Sequence, residues 1–332
     1  MSKYKLSICI PTYNRAEFIG ETIQSVIDAA EGINGIEIVI SDNASTDNTK
    51  NIVDSYKEFF PNITYFCWDR NMGVDRNFLK VVEIASGEFC WLMGSDDRVE
   101  NNSIDLILSN IEKYDNLSGI TLNTKMYDSG LCNEIYSESL VPNNIDIYYE
   151  SSEKCFSELG YCIGYISAQI VRRELWQSVI EVGCIENYFN GYVHMYVIAK
   201  MLKKNPSWLY IHKKCVGYRS NNDSLMSEGR LKRLAIDVYG YEKITGDVYG
   251  QNSRTYNKVM ATVCGIHIFN RILDAKVNNE SILFCKEAFR MCFNAYKQFP
   301  IFWLKVFPLF LIPSKVMPLI RVIYRKFFKK NV

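Results

Sequence analysis

Residues 88–98 read EFCWLMGSDDR: Glu88, an apolar run from Phe89 to Met93, then Gly94, Ser95, the adjacent acids Asp96 and Asp97, and Arg98. A short, aromatic-rich apolar run bounded by glycine and polar residues reads as a strand over 88–93. Two neighbouring carboxylates at its end repel each other unless water or a cation lies beside them. Taken alone, the turn reads rather as the start of the amphipathic segment at 102–114, with polar side chains capping that helix. The neighbouring pattern decides between the two.

Working outward, KLSICI (5–10), IEIVIS (36–41), ITYFCW (63–68) and SGITLN (118–123) have the same strand character. Amphipathic stretches near 16–30, 46–60, 74–86 and 102–114 separate them. Strand–helix alternation at this pitch predicts an α/β fold built of βαβ units, with a parallel sheet covered on both faces. Such sheets bind ligands at the carboxyl ends of their strands. PTYNR, DNAST and GSDD all fall there.

Residues 126–190 are less periodic and read as loops and short elements that shape a pocket, with a returning strand at 164–171 and a helix at 172–180. Segments 190–204, 229–245, 253–275 and 279–298 read as helical. The predicted organisation is an α/β domain over 1–225, a helical region over 226–298 and a basic, aromatic tail over 299–332.

The chain of 332 residues is 48% hydrophobic and 14% aromatic, which suits a globular protein with a sizeable core. A net charge of +1 hides an asymmetry: from Ala288 onward there are nine Lys and Arg and no acid, so the remainder carries −8. That balance argues against broad nucleic-acid binding and for a local anionic contact. The tail's apolar runs are broken by Lys305, Pro308, Pro313, Lys315 and Pro318. None reaches the roughly 18–20 residues that a spanning helix needs, and the composition suits a segment lying in a membrane interface. Eleven cysteines without any C-x-x-C pair read as buried, reduced thiols of a cytoplasmic protein. The N-terminal apolar run is too short for a signal peptide.

At the predicted sheet edge, Pro11 fixes a turn, Tyr13 offers a face on which a nucleobase can stack, and Arg15 offers a cation to phosphate. Asp42 follows a strand and can either cap a helix or accept from the N–H edge of a base. Gly73 permits a tight turn, after which Arg76 opens a helix and either faces solvent or reaches a diphosphate. Mg²⁺ or Mn²⁺, held by one or two carboxylates and phosphate oxygens, would relieve the Asp96–Asp97 repulsion. No G-x-G-x-x-G follows the first strand, which disfavours a dehydrogenase.

Together, SICIPTYNRAEFIGETIQSV, IEIVISDNASTDNT, NMGVDRN and WLMGSDD, in this order and spacing, resemble the family 2 glycosyltransferases over about residues 4–220. The resemblance implies a GT-A fold: a Rossmann-like, mixed, mostly parallel sheet flanked by helices, with a helical C-terminal region. It implies that Thr12 and Tyr13 line a base pocket whose turn Pro11 sets, that Asp42 binds the base edge, and that Arg76 lies near the diphosphate. It places Asp96 at the ribose or metal and makes Asp97 the main metal ligand. The family's usual Asp-x-Asp-Asp has Gly94 at its first position here. Where inverting members carry an acidic base on a later helix, NGYVHMYVIAKMLKK (190–204) carries His194, a competent base near neutral pH; Glu186 is the fallback. HKKCVGYRSNNDSLMS (212–227) resembles the loop after the family's last strand, from which Arg219 would close over the diphosphate.

The implied activity is metal-dependent transfer of a sugar from a nucleoside diphosphate to a hydroxyl of a lipid-linked saccharide, at the cytoplasmic face of a bacterial membrane, in polysaccharide or O-antigen assembly. Within the family, the chain resembles abequosyltransferase-type enzymes, which use a CDP-dideoxyhexose. A sugar nucleotidyltransferase is the other enzymatic reading, although the N-terminus lacks its Gly-rich phosphate loop. An inactive nucleotide-sugar-binding scaffold is the non-enzymatic one, raised by the missing acidic base.

Overall fold

A computed structural model describes residues 3–135, 140–141, 144–182 and 184–316. Packing divides the chain into two compact units, Met1–Asp223 and Ser224–Val332.

In the first unit, β1 (Tyr4–Thr12), β2 (Ile36–Asp42), β3 (Ile63–Cys67) and β4 (Gly87–Leu92) alternate with α1 (Ile19–Ala29), α2 (Thr49–Tyr56) and α3 (Val74–Glu83). After β4 come the two-residue β5 (Arg98–Val99), α4 (Ser103–Lys113), β6 (Gly119–Tyr127), β7 (Glu134–Ile135) and β8 (Ile147–Tyr149). Then follow α5 (Ser152–Ile163), β9 (Gln169–Arg172), α6 (Arg173–Ile180), α7 (Val193–Lys204) and β10 (Trp208–Arg219). The sheet order is β3-β2-β1-β4-β9-β6-β10-β5, with β7 on β6 and β8 on β10. The first four strands are parallel, and β9 runs antiparallel to both of its neighbours. The sheet is thus mixed and mostly parallel.

Ile8, Ile10, Ile38, Ile40, Phe89 and Trp91 are fully buried. A side chain of this size stabilises the fold by about 1.5–3 kcal/mol when it leaves water. The predicted strands at β1 to β4 form with shifts of a residue or two, because burial on both faces gives them continuous apolar runs, while β6 runs four residues beyond its predicted end. Two readings of the middle and end need correction. Residues 152–163, read as loop, form α5, whose N-cap Ser151 accepts a hydrogen bond from the Lys154 N–H at 3.2 Å. Residues 212–219, read as loop, belong to β10. Its pairing with β6 shifts register between Ile211 and Val216, and that bulge breaks the alternation by which a strand is recognised.

The second unit is helical: α8 (Arg230–Tyr249), α9 (Arg254–Val263) running through a π turn into α10 (Phe269–Val277), α11 (Ile282–Tyr296) and α12 (Phe307–Leu311). Its core holds Leu234, Val238, Tyr241, Met260, Cys292 and Phe302. Fully buried Asp237 is held by Arg233 at 2.5 Å and Arg271 at 2.9 Å, which compensates a charge that would be costly alone. The expected interfacial tail is described as far as Val316, with Leu304 and Leu311 exposed; its remainder, 317–332, lies outside the described residues. No helix among the described residues is long and apolar enough to cross a membrane.

Candidate active site

Parallel register places Thr12 beside Asp42 at the carboxyl ends of β1 and β2. Pro11, opposite Ser41, is the penultimate residue of β1, and Tyr13 beyond it is exposed. Asp42 is buried. Its Oδ1 accepts from the Ser45 N–H at 2.8 Å and its Oδ2 from the Tyr65 hydroxyl at 2.5 Å. Burial and the Asp42 carboxylate push the Tyr65 hydroxyl far above its usual range, so it remains a donor. Thr12 Oγ1 is buried without a hydrogen-bond partner among the described residues. Beneath this edge Asn77 donates to the carbonyls of Thr12 and Ser41 at 3.2 and 2.9 Å, tying α3 to both strands.

A second group surrounds the acids. Arg15 Nη1 donates to Asn222 Oδ1 at 3.1 Å, and Asn222 Nδ2 donates to Asp96 Oδ2 at 2.7 Å. One amide therefore joins the predicted phosphate-binding cation to the first acid. Burial lifts the Asp96 carboxyl above its usual range, against the pull of Arg15 and Arg219.

Asp97 behaves differently from expectation. It is buried, with Oδ2 accepting from Tyr165 and Ser167 hydroxyls at 2.7 and 2.5 Å and Oδ1 from the Arg219 N–H at 3.1 Å. Its main-chain carbonyl accepts from Thr22 at 2.7 Å. Burial first, and the Asp96 charge second, push it up to about 7, opposed by those donors. Both of its oxygens accept from protein, as those of Asp42 do, so this acid is anchored from within the fold. Asp96 has no hydrogen bond on Oδ1 among the described residues, so one of its oxygens has no protein donor. A hard cation held by one carboxylate plus phosphate and water fits that set. No group of three or more His, Cys, Asp or Glu suited to a metal occurs among the described residues.

Gly94 belongs to the same packing. Its N–H donates to Ser167 Oγ at 2.8 Å. A Cβ there would stand 2.9 Å from Asp97 Oδ2, 3.1 Å from Ser167 Oγ and 3.2 Å from Asp96 Oδ1. The space that a third acid would enter is filled.

Arg219, expected to close over a diphosphate, is 3% exposed. Its guanidinium donates to the carbonyls of Asp96 and Ser129 at 2.9 and 2.6 Å and to the Glu21 carboxylate, while its face covers the Phe18 ring at 4.8 Å. Three of its five N–H donors are directed at protein acceptors, so the guanidinium braces the acid turn. Arg76 is the reverse. It is half-exposed, pairs with Glu186 at 2.8 Å and lies over the Phe189 ring, joining neither of the other groups.

His194 does not face a cleft. It is 1% exposed on α7, edge-on to the Phe78 and Tyr192 rings, with Nε2 3.1 Å from the Gly164 carbonyl. Burial pulls its pKa down to about 4. A group sealed in this way cannot take a proton from an acceptor hydroxyl where it stands. Glu186, the fallback, is 70% exposed at its side chain. Asp75 was not singled out: it accepts from the N–H groups of Gly191 and Val193 at 2.8 and 3.0 Å and so caps α7 from another helix. An acid in the first turn of α3 was its only signal.

A mixed, mostly parallel sheet thus carries acids and arginines at its carboxyl edge. The family model for glycosyl transferase family 2 matches residues 7–169. The chain is 32% identical over 264 residues to the abequosyltransferase RfbV of Salmonella typhimurium, covering 74% of this chain and 76% of that one. Among solved structures, S. aureus TarS 1–349 in complex with UDP-GlcNAc superposes with a TM-score of 0.64 at 15% identity, covering 97% of this chain and 87% of the other. The Pyrobaculum calidifontis mannosyltransferase PcManGT in complex with GDP-Man and Mn²⁺ gives 0.53 at 13%, covering 98% and 88%. The fold is GT-A. The chain belongs to glycosyl transferase family 2 and is a glycosyltransferase.

Proposed function

We propose that the enzyme transfers a sugar from a nucleoside diphosphate to a saccharide hydroxyl in bacterial polysaccharide or O-antigen assembly, with a CDP-dideoxyhexose as the first donor to test. The observation that carries this reading is the Arg15–Asn222–Asp96 bridge, which sets a cation and an available carboxylate at the sheet edge that also holds Thr12 and Asp42. The base stacks on Tyr13 and presents an N–H to Asp42 at a floor formed by Thr12. Arg15 and Arg76 meet the phosphates. Asp96 holds Mg²⁺ or Mn²⁺, which when bound supplies a Lewis acid for the departing diphosphate.

Glu186 takes the role expected of His194, because its carboxylate is open to solvent. It removes the acceptor proton as the hydroxyl oxygen bonds to the anomeric carbon. The anomeric C–O bond breaks and its electron pair leaves with the nucleoside diphosphate, whose growing charge the two arginines stabilise. The acceptor is lipid-linked, and the protein approaches an anionic cytoplasmic membrane face through its C-terminal segment. What supports this is the acid-free, nine-cation run from Ala288 and the exposure of Trp303, Leu304 and Leu311 within it.

A thermal-shift panel of UDP-, GDP-, CDP- and dTDP-sugars with and without Mn²⁺ tests the site. A ligand at about 100 times its Kd stabilises the native state by about 2.7 kcal/mol. One donor class should raise the melting temperature, with a further Mn²⁺-dependent rise that Asp96→Ala abolishes. No Mn²⁺-dependent rise with any donor would remove the cation from the mechanism.

A further inference from the structure

His194 lies on the helix where the resemblance leads one to expect a catalytic base, yet its surroundings are those of a buried donor. The imidazole lies between Phe78 of α3 and Tyr192 at the start of α7, and Nε2 reaches the Gly164 carbonyl at 3.1 Å. Nδ1 is buried with no partner among the described residues. The neutral form that fits this site has the proton on Nε2, donated to the Gly164 carbonyl, with the Ile163 carbonyl also beside the ring.

What the carbonyl belongs to gives the contact its importance. Gly164 closes α5 and opens the turn that carries Tyr165 and Ser167. Both hydroxyls donate to Asp97 Oδ2, and Ser167 Oγ also accepts the Gly94 N–H. The Ser167 carbonyl accepts from Trp91 Nε1 at 2.8 Å, fixing the far end of the turn to β4. At the other end of the route, Asp75 holds the first N–H groups of α7 beside His194.

We propose that His194 is a positioning residue: as a neutral Nε2–H donor to Gly164, it fixes the 164–167 turn and thereby the Gly94–Asp97 turn on which Asp96 is presented to the donor. Asp96 carries no direct contact from His194, so the effect runs through backbone and hydroxyls alone. The inference rests on the glycosyl-transfer reading for its activity test but not for its structural one.

Glutamine separates a donor from a base, since its amide N–H reaches about as far as Nε2–H but cannot accept a proton at neutral pH. The test uses full-length wild type, His194→Gln and His194→Ala, following nucleoside diphosphate release from whichever of UDP-GlcNAc, GDP-mannose, CDP-glucose and dTDP-glucose wild type hydrolyses. His194→Gln should stay within about threefold of wild-type kcat, because one neutral hydrogen bond replaces another, and its pH–rate profile should overlay wild type. His194→Ala should fall about tenfold or more in kcat with KM little changed. A His194→Gln protein that melts with wild type yet loses about a hundredfold or more, as removal of a general base would, overturns the proposal.

The second measurement needs no substrate. With three histidines in the chain, the His194 ring nitrogens are assigned in ¹⁵N NMR by their loss in His194→Gln. A neutral Nε2–H form unchanged from about pH 6 to 9 is the expected result; an Nδ1–H form, or a ring that titrates in that range, overturns it. Failure of wild type to turn over any donor would count against the activity reading while the NMR result still decides the positioning role.

Discussion

Burial of His194 should appear as a pH dependence of stability that a single substitution removes. In the unfolded chain its imidazole protonates near the ordinary 6.5, whereas in the folded protein burial pulls that to about 4. Between these values the unfolded state binds more protons than the folded one, so stability falls as pH drops from about 6.5 to about 4. A difference of about 2.5 pH units corresponds to about 3 kcal/mol. Asp97 runs the opposite way. Its folded value, about 7, lies above its unfolded one, so its contribution is full at low pH and lost as pH rises toward 7.

A wild-type pH profile therefore mixes two slopes of opposite sign, and the difference between wild type and His194→Gln isolates the histidine. Urea unfolding followed by tryptophan fluorescence suits the measurement, because four of the five tryptophans lie in the first unit. Near pH 7 the two proteins should differ by about 1 kcal/mol or less. Near pH 4 the difference should have moved by about 3 kcal/mol in favour of the glutamine variant. Profiles that stay parallel from pH 7 to 4 would refute the buried, neutral imidazole and everything inferred from it.

Two further substitutions probe the acid turn. Gly94→Ala sets a methyl 2.9 Å from Asp97 Oδ2 and 3.1 Å from Ser167 Oγ; overpacking of this kind costs about 1–3 kcal/mol, and calorimetry should show it, with the cost of Gly94→Ala smaller when measured in a Ser167→Ala background. Arg219→Ala removes bonds to two carbonyls and the cover over Phe18, a loss of about 2–4 kcal/mol by urea unfolding. Its ion pair with Glu21 contributes little to that figure, because Glu21 is 57% exposed. Glu21→Gln should accordingly leave the midpoint nearly unchanged, and a large effect there would reverse this assignment.

Much of the parallel half of the sheet was legible because its signals are local. Each of β1 to β4 is a run of apolar residues ended by a polar cluster, and each of α1 to α3 shows its own period. The family's motifs are local too, which is why Thr12, Asp42, Arg15 and Asp96 could be singled out from short strings. What escaped is set by distant partners. The bulge in β10 answers to β6, some 90 residues earlier. Asp75 is a helix-opening acid in its own segment and becomes a cap only because α7 arrives 116 residues later. Arg219 sits in a string that suits phosphate equally well; Ser129 and Asp96 spend its donors.

The acid pair shows the same limit at its sharpest. Consecutive side chains of extended or turning backbone leave in different directions, so of Asp96 and Asp97 one is bound to point inward. Nothing in GSDD says which. The choice is made by hydroxyls 68 and 70 residues away and a backbone N–H 122 residues away, all converging on Asp97. Once those donors are in place, charge repulsion is relieved from within. The turn does not need a cation to exist. Asp96 is left with an oxygen to offer, and Gly94 is required less to let a donor approach than to leave room for the Ser167–Asp97 contact beneath it. A family member that kept the third acid would have to give up that contact, and Gly94→Asp in this chain should be worse than Gly94→Ala by at least the burial of a further unpaired charge.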